Sequence, residues 1–294
     1  MQNEIFLTIL TPAYNRARLL TRCYGSLCTQ TDYDFEWLIV DDGSTDDTEK
    51  VVEGFQTDKF PIQYIKKANG GKHTALNASH GHIHGRYVLI LDSDDMLTAD
   101  AVSAAKAGWK DWESNREIGI VILLKGSSVD KPNCIVRDWN VPLDIMRYKR
   151  TCIRSNDCCE IIRTDLFEKY PFPVFEGERF LAEGALWGRV SHDCKCVYMD
   201  KVIYLCEYLE DGLTKSGRAM RIRNPQGGMF HANVYMTKKN FFKKRIKNGL
   251  LYTCYGFFAH KSFRQMAAGC CDKLLMWACM PFGWMLYKRW KSDV

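Results

Sequence analysis

The 294-residue sequence is expected to form an α/β fold: a mostly parallel sheet flanked by helices, followed by a helical C-terminal region. Short β-branched apolar runs alternate with amphipathic stretches through the first half, the pattern of strand–helix units that build a parallel sheet. Acidic residues recur directly after those runs end, where open α/β sheets bind their ligands. The C-terminal stretch changes character and becomes basic and rich in aromatic residues.

Residues 5–11 read as the first strand, and Pro12, which has no N–H, is expected to stop its ladder. A helix over residues 16–29 places Leu19, Leu20, Cys23 and Leu27 on one face. Residues 35–40 form the second strand, ending at Asp41, and Ser44 or Thr45 then caps a helix that runs to about Phe55. A short third strand covers residues 62–65. Gly70 and Gly71 break the chain before a helix over residues 74–82, and residues 87–91 form the fourth strand, ending at Asp92. Further strands are expected over residues 118–124, 158–163, 194–198 and 202–208, with a helix over residues 164–170.

A composition of 46% hydrophobic, 26% charged and 13% aromatic residues excludes disorder, collagen and a small disulfide scaffold. No uninterrupted apolar run reaches the roughly 18 residues that a spanning helix needs. Met1, Gln2, Asn3 and Glu4 do not open a signal peptide, and the 13 cysteines have no framework spacing. A cytoplasmic protein with reduced thiols is therefore expected. The net charge of +6 is unevenly spread: residues 238–294 carry twelve Lys or Arg against two Asp, leaving 29 basic and 33 acidic groups before them. A mildly acidic domain with a basic tail implies attachment to an anionic surface, a membrane or a nucleic acid.

The sharpest chemical signal is Leu91, Asp92, Ser93, Asp94, Asp95. Carboxylates two residues apart after a strand end can reach one divalent ion, and all-oxygen ligands suit Mg²⁺ or Mn²⁺. Such an ion binds through one or two carboxylates plus substrate phosphates, so the pair implies a phosphorylated ligand. The alternative is a turn of solvated acids that caps the following helix. Asp41 and Asp42 are expected to face the same cleft, where so many carboxylates would repel one another without a cation.

Three motifs in register resemble the family 2 inverting glycosyltransferases of GT-A fold. They are Thr11, Pro12, Ala13, Tyr14, Asn15, Arg16; then Leu38 to Asp42 with Gly43, Ser44, Thr45, Asp46; then Gly85, Arg86, Tyr87 leading into Leu91 to Asp95. The resemblance covers about the first 100 residues. It implies a GT-A-like domain over residues 1–217 that binds a nucleotide-sugar donor, with a uracil base near Pro12, Tyr14 and Asp41. Asp92 and Ser93 would serve the donor's ribose, while Asp92, Asp94 and Asp95 would hold Mn²⁺ or Mg²⁺ on its diphosphate. Tyr14 offers a stacking face and Asp41 an acceptor for a uracil N–H. Lys72, after the Asn69–Gly70–Gly71 turn, is either a cation for the phosphates or a solvated residue at a helix start.

Inversion at an anomeric carbon requires a base for the acceptor hydroxyl. Phe180, Leu181, Ala182, Glu183, Leu186, Trp187 and Arg189 resemble the family's base segment, with Ala182 where the first acid of the family's pair would stand. Glu183 is the candidate; Glu160, Glu176 and Glu178 are its rivals. A run from Tyr208 to Thr214, followed by Arg218, Arg221 and Arg223, is either a closing loop or a solvated basic face. Cys194 with Cys196, Cys158 with Cys159, and the alternating His80, His82 and His84 lack the spacing of metal sites. Neither a nucleotide-binding Gly-x-x-x-x-Gly-Lys-Ser/Thr loop nor a Gly-x-Ser-x-Gly elbow is present.

In the tail, Lys238 to Lys247 interleave with Phe241 and Phe242. Residues 274–287 carry no charge, are broken by Pro281 and end at Lys288, Arg289 and Lys291. Residues 218–294 are therefore expected to lie on a membrane as basic aromatic helices. The resulting expectation is sugar transfer from a nucleotide-sugar, with UDP as the nucleotide, to a glycan or lipid-linked glycan. It would serve bacterial surface polysaccharide synthesis at the inner face of the cytoplasmic membrane, with no nucleic-acid partner. A sugar nucleotidyltransferase and a nucleic-acid-binding protein that uses the basic tail are the alternatives.

Overall fold

Two strands that are buried along their whole length set the architecture: β1 (Leu7–Ala13) and β2 (Phe35–Asp41) expose no residue. Strands read this way when both sheet faces are covered. The computed structural model describes residues 5–146, 152–154, 157–206 and 217–291. In chain order, β1 is followed by α1 (Ala17–Cys28), β2, α2 (Thr48–Glu53), β3 (Ile62–Lys66), α3 (Lys72–Ala78), β4 (Tyr87–Ile90), β5 (Met96–Leu97) and α4 (Ala101–Lys110). Next come β6 (Ile118–Ser128), β7 (Lys131–Pro132), β8 (Ile135–Val136), β9 (Cys152–Arg154), β10 (Cys158–Arg163), α5 (Thr164–Lys169), α6 (Gly184–Val190) and β11 (Lys195–Leu205). The chain continues with α7 (Gly217–Arg223), α8 (Pro225–Tyr235), α9 (Phe242–Phe258), α10 (Phe263–Gly269) and α11 (Lys273–Lys291).

The main sheet runs β3-β2-β1-β4-β10-β6-β11-β5, with β7 on β6. Its first four strands are parallel, whereas β10 is antiparallel to both β4 and β6. The chain first builds outward from β1 to β2 and β3, then returns to place β4 on the other side of β1. That reversal makes the carboxyl ends of β1 and β4 a topological switch point. The apolar face of α1, with Leu20, Cys23 and Leu27, is buried against this sheet in one core with Ile9, Trp37, Leu89 and Val121.

Three sequence expectations need correction. Pro12 does not end β1; it pairs in register with Val40. The Leu10 carbonyl accepts from Leu91 N and the Ala13 carbonyl from Asp42 N. By alternation, the position of Pro12's missing N–H faces the β4 side, where that strand has already ended, so no ladder bond is lost. Neither Ser44 nor Thr45 caps α2, which starts at Thr48; Ser44 Oγ instead accepts from Asn15 N at 2.8 Å. The strands expected over residues 194–198 and 202–208 are one strand, β11, whose register against β6 shifts between Tyr198 and Val202.

The chain divides into two compact units. One takes in Met1–Pro171 and Val190–Tyr208, the other Phe172–Arg189 and Leu209–Val294. Against the expected single cut after residue 217, this division groups Phe172–Arg189, which carries Glu183, with the C-terminal helices and begins their stretch at residue 209. These helices have a core of their own, built from Met229, Tyr252, Tyr255, Met266, Met276 and Met280.

Candidate active site

Parallel register brings the acidic strand ends to one edge. Ala13 pairs with Asp41, and Asp41 with Lys66, while Leu10 pairs with Ile90, so Asp92 leaves β4 level with Pro12. Only β1 separates β2 from β4, so at the usual spacing the two acidic ends lie about 10 Å apart. Tyr14, directly after β1 between them, is 45% exposed.

Asp41 is fully buried. Its Oδ1 accepts from Ser44 N at 2.7 Å and its Oδ2 from the Tyr64 hydroxyl at 2.5 Å. Burial and the Asp41 charge push the Tyr64 phenol well above its ordinary value, so Tyr64 remains a donor. The loop after β1 is fastened to the same corner: Asn15 Oδ1 accepts from Thr45 N at 2.9 Å, and Arg16 N donates to Thr48 Oγ1 at 3.0 Å.

Asp42 has a different job. Its carboxylate receives Lys67 Nζ at 2.7 Å, Gly70 N at 2.9 Å and Gly71 N at 2.6 Å, with Asn69 Nδ2 at 3.2 Å. It therefore holds the Asn69–Gly70–Gly71 turn that starts α3 and carries Lys72. Gly43 lets the two segments meet; its φ is +79°, and a Cβ there would come within 2.8 Å of Asn69 N. Lys72 Nζ pairs with Asp92 Oδ1, so the turn's cation reaches the rim.

Within the acidic loop the four side chains alternate. Ser93 and Asp95 are buried, while Asp92 and Asp94 are partly open. Burial opposes ionisation of Asp92, but Lys72 and Lys125 outweigh it and hold the carboxyl below the usual range. Asp95 is pushed up to about 7, by burial first and then by the charges of Asp92 and Asp94. The Tyr204 hydroxyl links the loop together: it accepts from Asp92 N at 2.9 Å and hydrogen-bonds the Asp95 carboxyl. Lys125 Nζ sits 3.9 Å over the Tyr204 ring.

Asp92 and Asp94 offer oxygen donors two residues apart, a set that fits a small hard cation completed by phosphate and water oxygens. Among the described residues no three His, Cys, Asp or Glu side chains are placed to hold a metal by themselves. Of the expected set of Asp92, Asp94 and Asp95, Asp92 and Asp94 are partly open, whereas Asp95 is buried and hydrogen-bonded to Tyr204. Tyr64, Lys67, Lys125 and Tyr204 were missed in the sequence, since each reaches the rim from another strand or turn.

Glu183 lies in the second unit, immediately before α6, and its carbonyl accepts from Leu186 N at 2.8 Å. Its neighbourhood is fixed by α8: Tyr235 Oη donates to the Gly184 carbonyl at 2.8 Å. Glu178 is committed elsewhere, accepting from Gln226 N at 2.7 Å and Gly227 N at 2.8 Å at the start of α8. Glu160 lies within strand β10, and Glu176 is exposed. Arg221 Nη1 donates to its own helix at the Gly217 carbonyl, 3.1 Å away. The run from Tyr208 to Thr214 lies outside the described residues.

Chondroitin synthase of Escherichia coli is 38% identical over 159 residues, 53% of this chain but 22% of that protein. The matched segments are 10–16% of the length of other curated relatives, so the chain spans a small part of the proteins it matches. Among solved structures, residues 1–349 of S. aureus TarS in complex with UDP-GlcNAc superpose with a TM-score of 0.61 at 18% identity, over 98% of this chain and 92% of that one. The Pyrobaculum calidifontis mannosyltransferase PcManGT, in complex with GDP-Man and Mn²⁺, gives 0.58 at 20% identity, over 97% and 82%. At these identities the two structures establish a shared GT-A fold. The family model described as glycosyl transferase family 2 matches residues 8–159, more than half of the chain. The chain belongs to glycosyl transferase family 2.

Proposed function

We propose that the protein transfers a sugar from a UDP-sugar, with inversion, to a glycan or lipid-linked glycan acceptor in bacterial surface polysaccharide synthesis. The observation that carries this reading is the convergence of the β1, β2 and β4 ends on one rim at the switch point, with Tyr14, Asp41 and Asp92 on it. In this reading Tyr14 stacks on the uracil and Pro12 shapes its edge, while Asp41 pairs with that edge by exchanging its bond to Ser44 N or the Tyr64 hydroxyl for the uracil N–H. Ser93 and Asp92 serve the ribose, and Lys72 brings positive charge to the phosphates. Asp92 and Asp94 hold Mn²⁺ or Mg²⁺, which when bound neutralises charge on the departing diphosphate.

Glu183 accepts the acceptor hydroxyl's proton as its oxygen attacks the anomeric carbon opposite UDP. The commitment of Glu178 to the start of α8 supports Glu183 over that rival. Residues 1–217 supply the donor and catalytic functions, and the basic helices of residues 218–294 bring them to the inner face of the cytoplasmic membrane. The E. coli and TarS likenesses support polysaccharide acceptors and a UDP-sugar; the PcManGT likeness supports a divalent ion.

A panel of nucleotide-sugars, each assayed with Mn²⁺ for thermal shift and for donor hydrolysis, tests the reading. A shift and turnover with at least one UDP-sugar are expected. A response to nucleoside triphosphate plus sugar phosphate, with release of pyrophosphate, would overturn it.

A further inference from the structure

Helix α11 has two apolar faces, and only one of them is used inside the protein. Met276, Cys279, Met280 and Gly283 recur at helical spacing and are buried. They pack on α9, where Gly249 lies against Cys279 and Leu275, and where a Cβ at Gly283 would collide with Thr253. On the outer side, Leu274, Trp277, Phe282, Trp284 and Met285 are between 47% and 86% exposed. From Leu274 to Met285 this stripe is about 17 Å long at 1.5 Å per residue. Phe263, at the start of α10, extends it; its ring stands edge-on to Trp277 with centroids 6.1 Å apart.

Charge frames the stripe. Lys273 precedes it, and Lys288, Arg289 and Lys291 close it, with no acid anywhere in α11. The acid just before the helix, Asp272, is engaged with Arg245 at 2.6 Å. At the far end the cations lie over aromatic rings: Lys288 over Trp284 and Lys291 over Tyr287. A second copy docking by the same face would set cations against cations. A polyanionic strand would need its cations along the stripe, where Leu274, Phe282 and Met285 stand instead. Among the described residues no helix is long and apolar enough to cross a membrane.

We propose that the outer face of α11 is the docking face for an anionic lipid bilayer, with Trp277, Phe282 and Trp284 seated at headgroup depth and the terminal cations on lipid phosphates. This deepens the membrane reading above and is independent of the sugar-transfer chemistry. Cosedimentation with vesicles of phosphatidylcholine, with and without phosphatidylglycerol, tests it, together with tryptophan emission and donor turnover in the same samples. Binding and a blue shift are expected only with phosphatidylglycerol.

The combined variant Trp277→Ser, Phe282→Ser, Trp284→Ser should lose about tenfold or more in partitioning, with its melting temperature and donor turnover retained. Lys288→Glu with Arg289→Glu should also weaken binding. The proposal is overturned if the parent protein stays in the supernatant with anionic vesicles, or if the triple variant binds as well as the parent. A concentration-dependent dimer that disappears in the triple variant, with no vesicle binding, would overturn it too. Absence of donor turnover with vesicle binding intact would count against the enzyme reading alone.

Discussion

The hydroxyl of Tyr204 accepts the backbone N–H of Asp92 at 2.9 Å, across 112 residues of sequence. The same hydroxyl bonds the Asp95 carboxyl, so one buried phenol from β11 sets both the path of the acidic loop and the orientation of its inward acid. Tyr204→Phe leaves a buried N–H and a buried carboxyl short of partners, at a cost of about 1–3 kcal/mol. The concentration of Mn²⁺ and of donor needed for half-maximal turnover should rise more than the maximal rate falls. Steady-state kinetics with a metal titration checks this, and a purely structural role would change only the melting temperature.

Asp42→Ala removes the acceptor shared by Lys67, Gly70 and Gly71. Lys67 is partly exposed and keeps Thr74 Oγ1 as an acceptor, so the main cost is the unpaired Gly70 and Gly71 N–H groups, about 1–3 kcal/mol. Lys72 loses its support, so donor affinity should fall together with stability. Chemical denaturation and donor titration measure the two effects.

Glu178 and Glu183 should separate cleanly. Glu178→Ala strips the acceptor from the first turn of α8, so the melting temperature falls by the equivalent of about 1–3 kcal/mol. Glu183→Gln should abolish sugar transfer while leaving the melting temperature and donor binding intact. Retained transfer in the Gln variant would remove Glu183 as the base.

His231 predicts acid sensitivity. Burial, then the charges of Arg221, Lys244 and Lys247, lower its pKa from 6.5 to about 4. The unfolded imidazole takes a proton near 6.5 and the folded one near 4, so the unfolded state binds more protons within that window and stability falls as pH falls through it. Melting curves from pH 7 to pH 4 should drop less steeply for His231→Gln than for the parent protein.

The donor rim was legible because strand ends announce themselves: Asp41 and Asp92 follow apolar runs, and parallel strands put such ends on one edge. Pro12 was misread as a stop because its cost depends on which neighbour its nitrogen faces, and that neighbour, β4, lies far along the chain. Asp92, Asp94 and Asp95 look equivalent in sequence. Only the fold shows that Asp95 is the inward one, where burial and then the charges of Asp92 and Asp94 push its pKa up to about 7 against the lowering hydrogen bond from Tyr204. Glu178 and Glu183 are likewise indistinguishable until α8 is seen to use the first. The tail's cations were evident, but the sorting of α11 into a buried methionine face and an exposed tryptophan face requires its packing on α9.

The most direct measurement is calorimetric titration of UDP into the protein with Mn²⁺ and with a chelator, repeated on Asp92→Asn and Asp94→Asn. Mn²⁺ should tighten UDP binding in the parent protein, and either substitution should remove this gain. UDP affinity unaffected by metal and by both substitutions would contradict it.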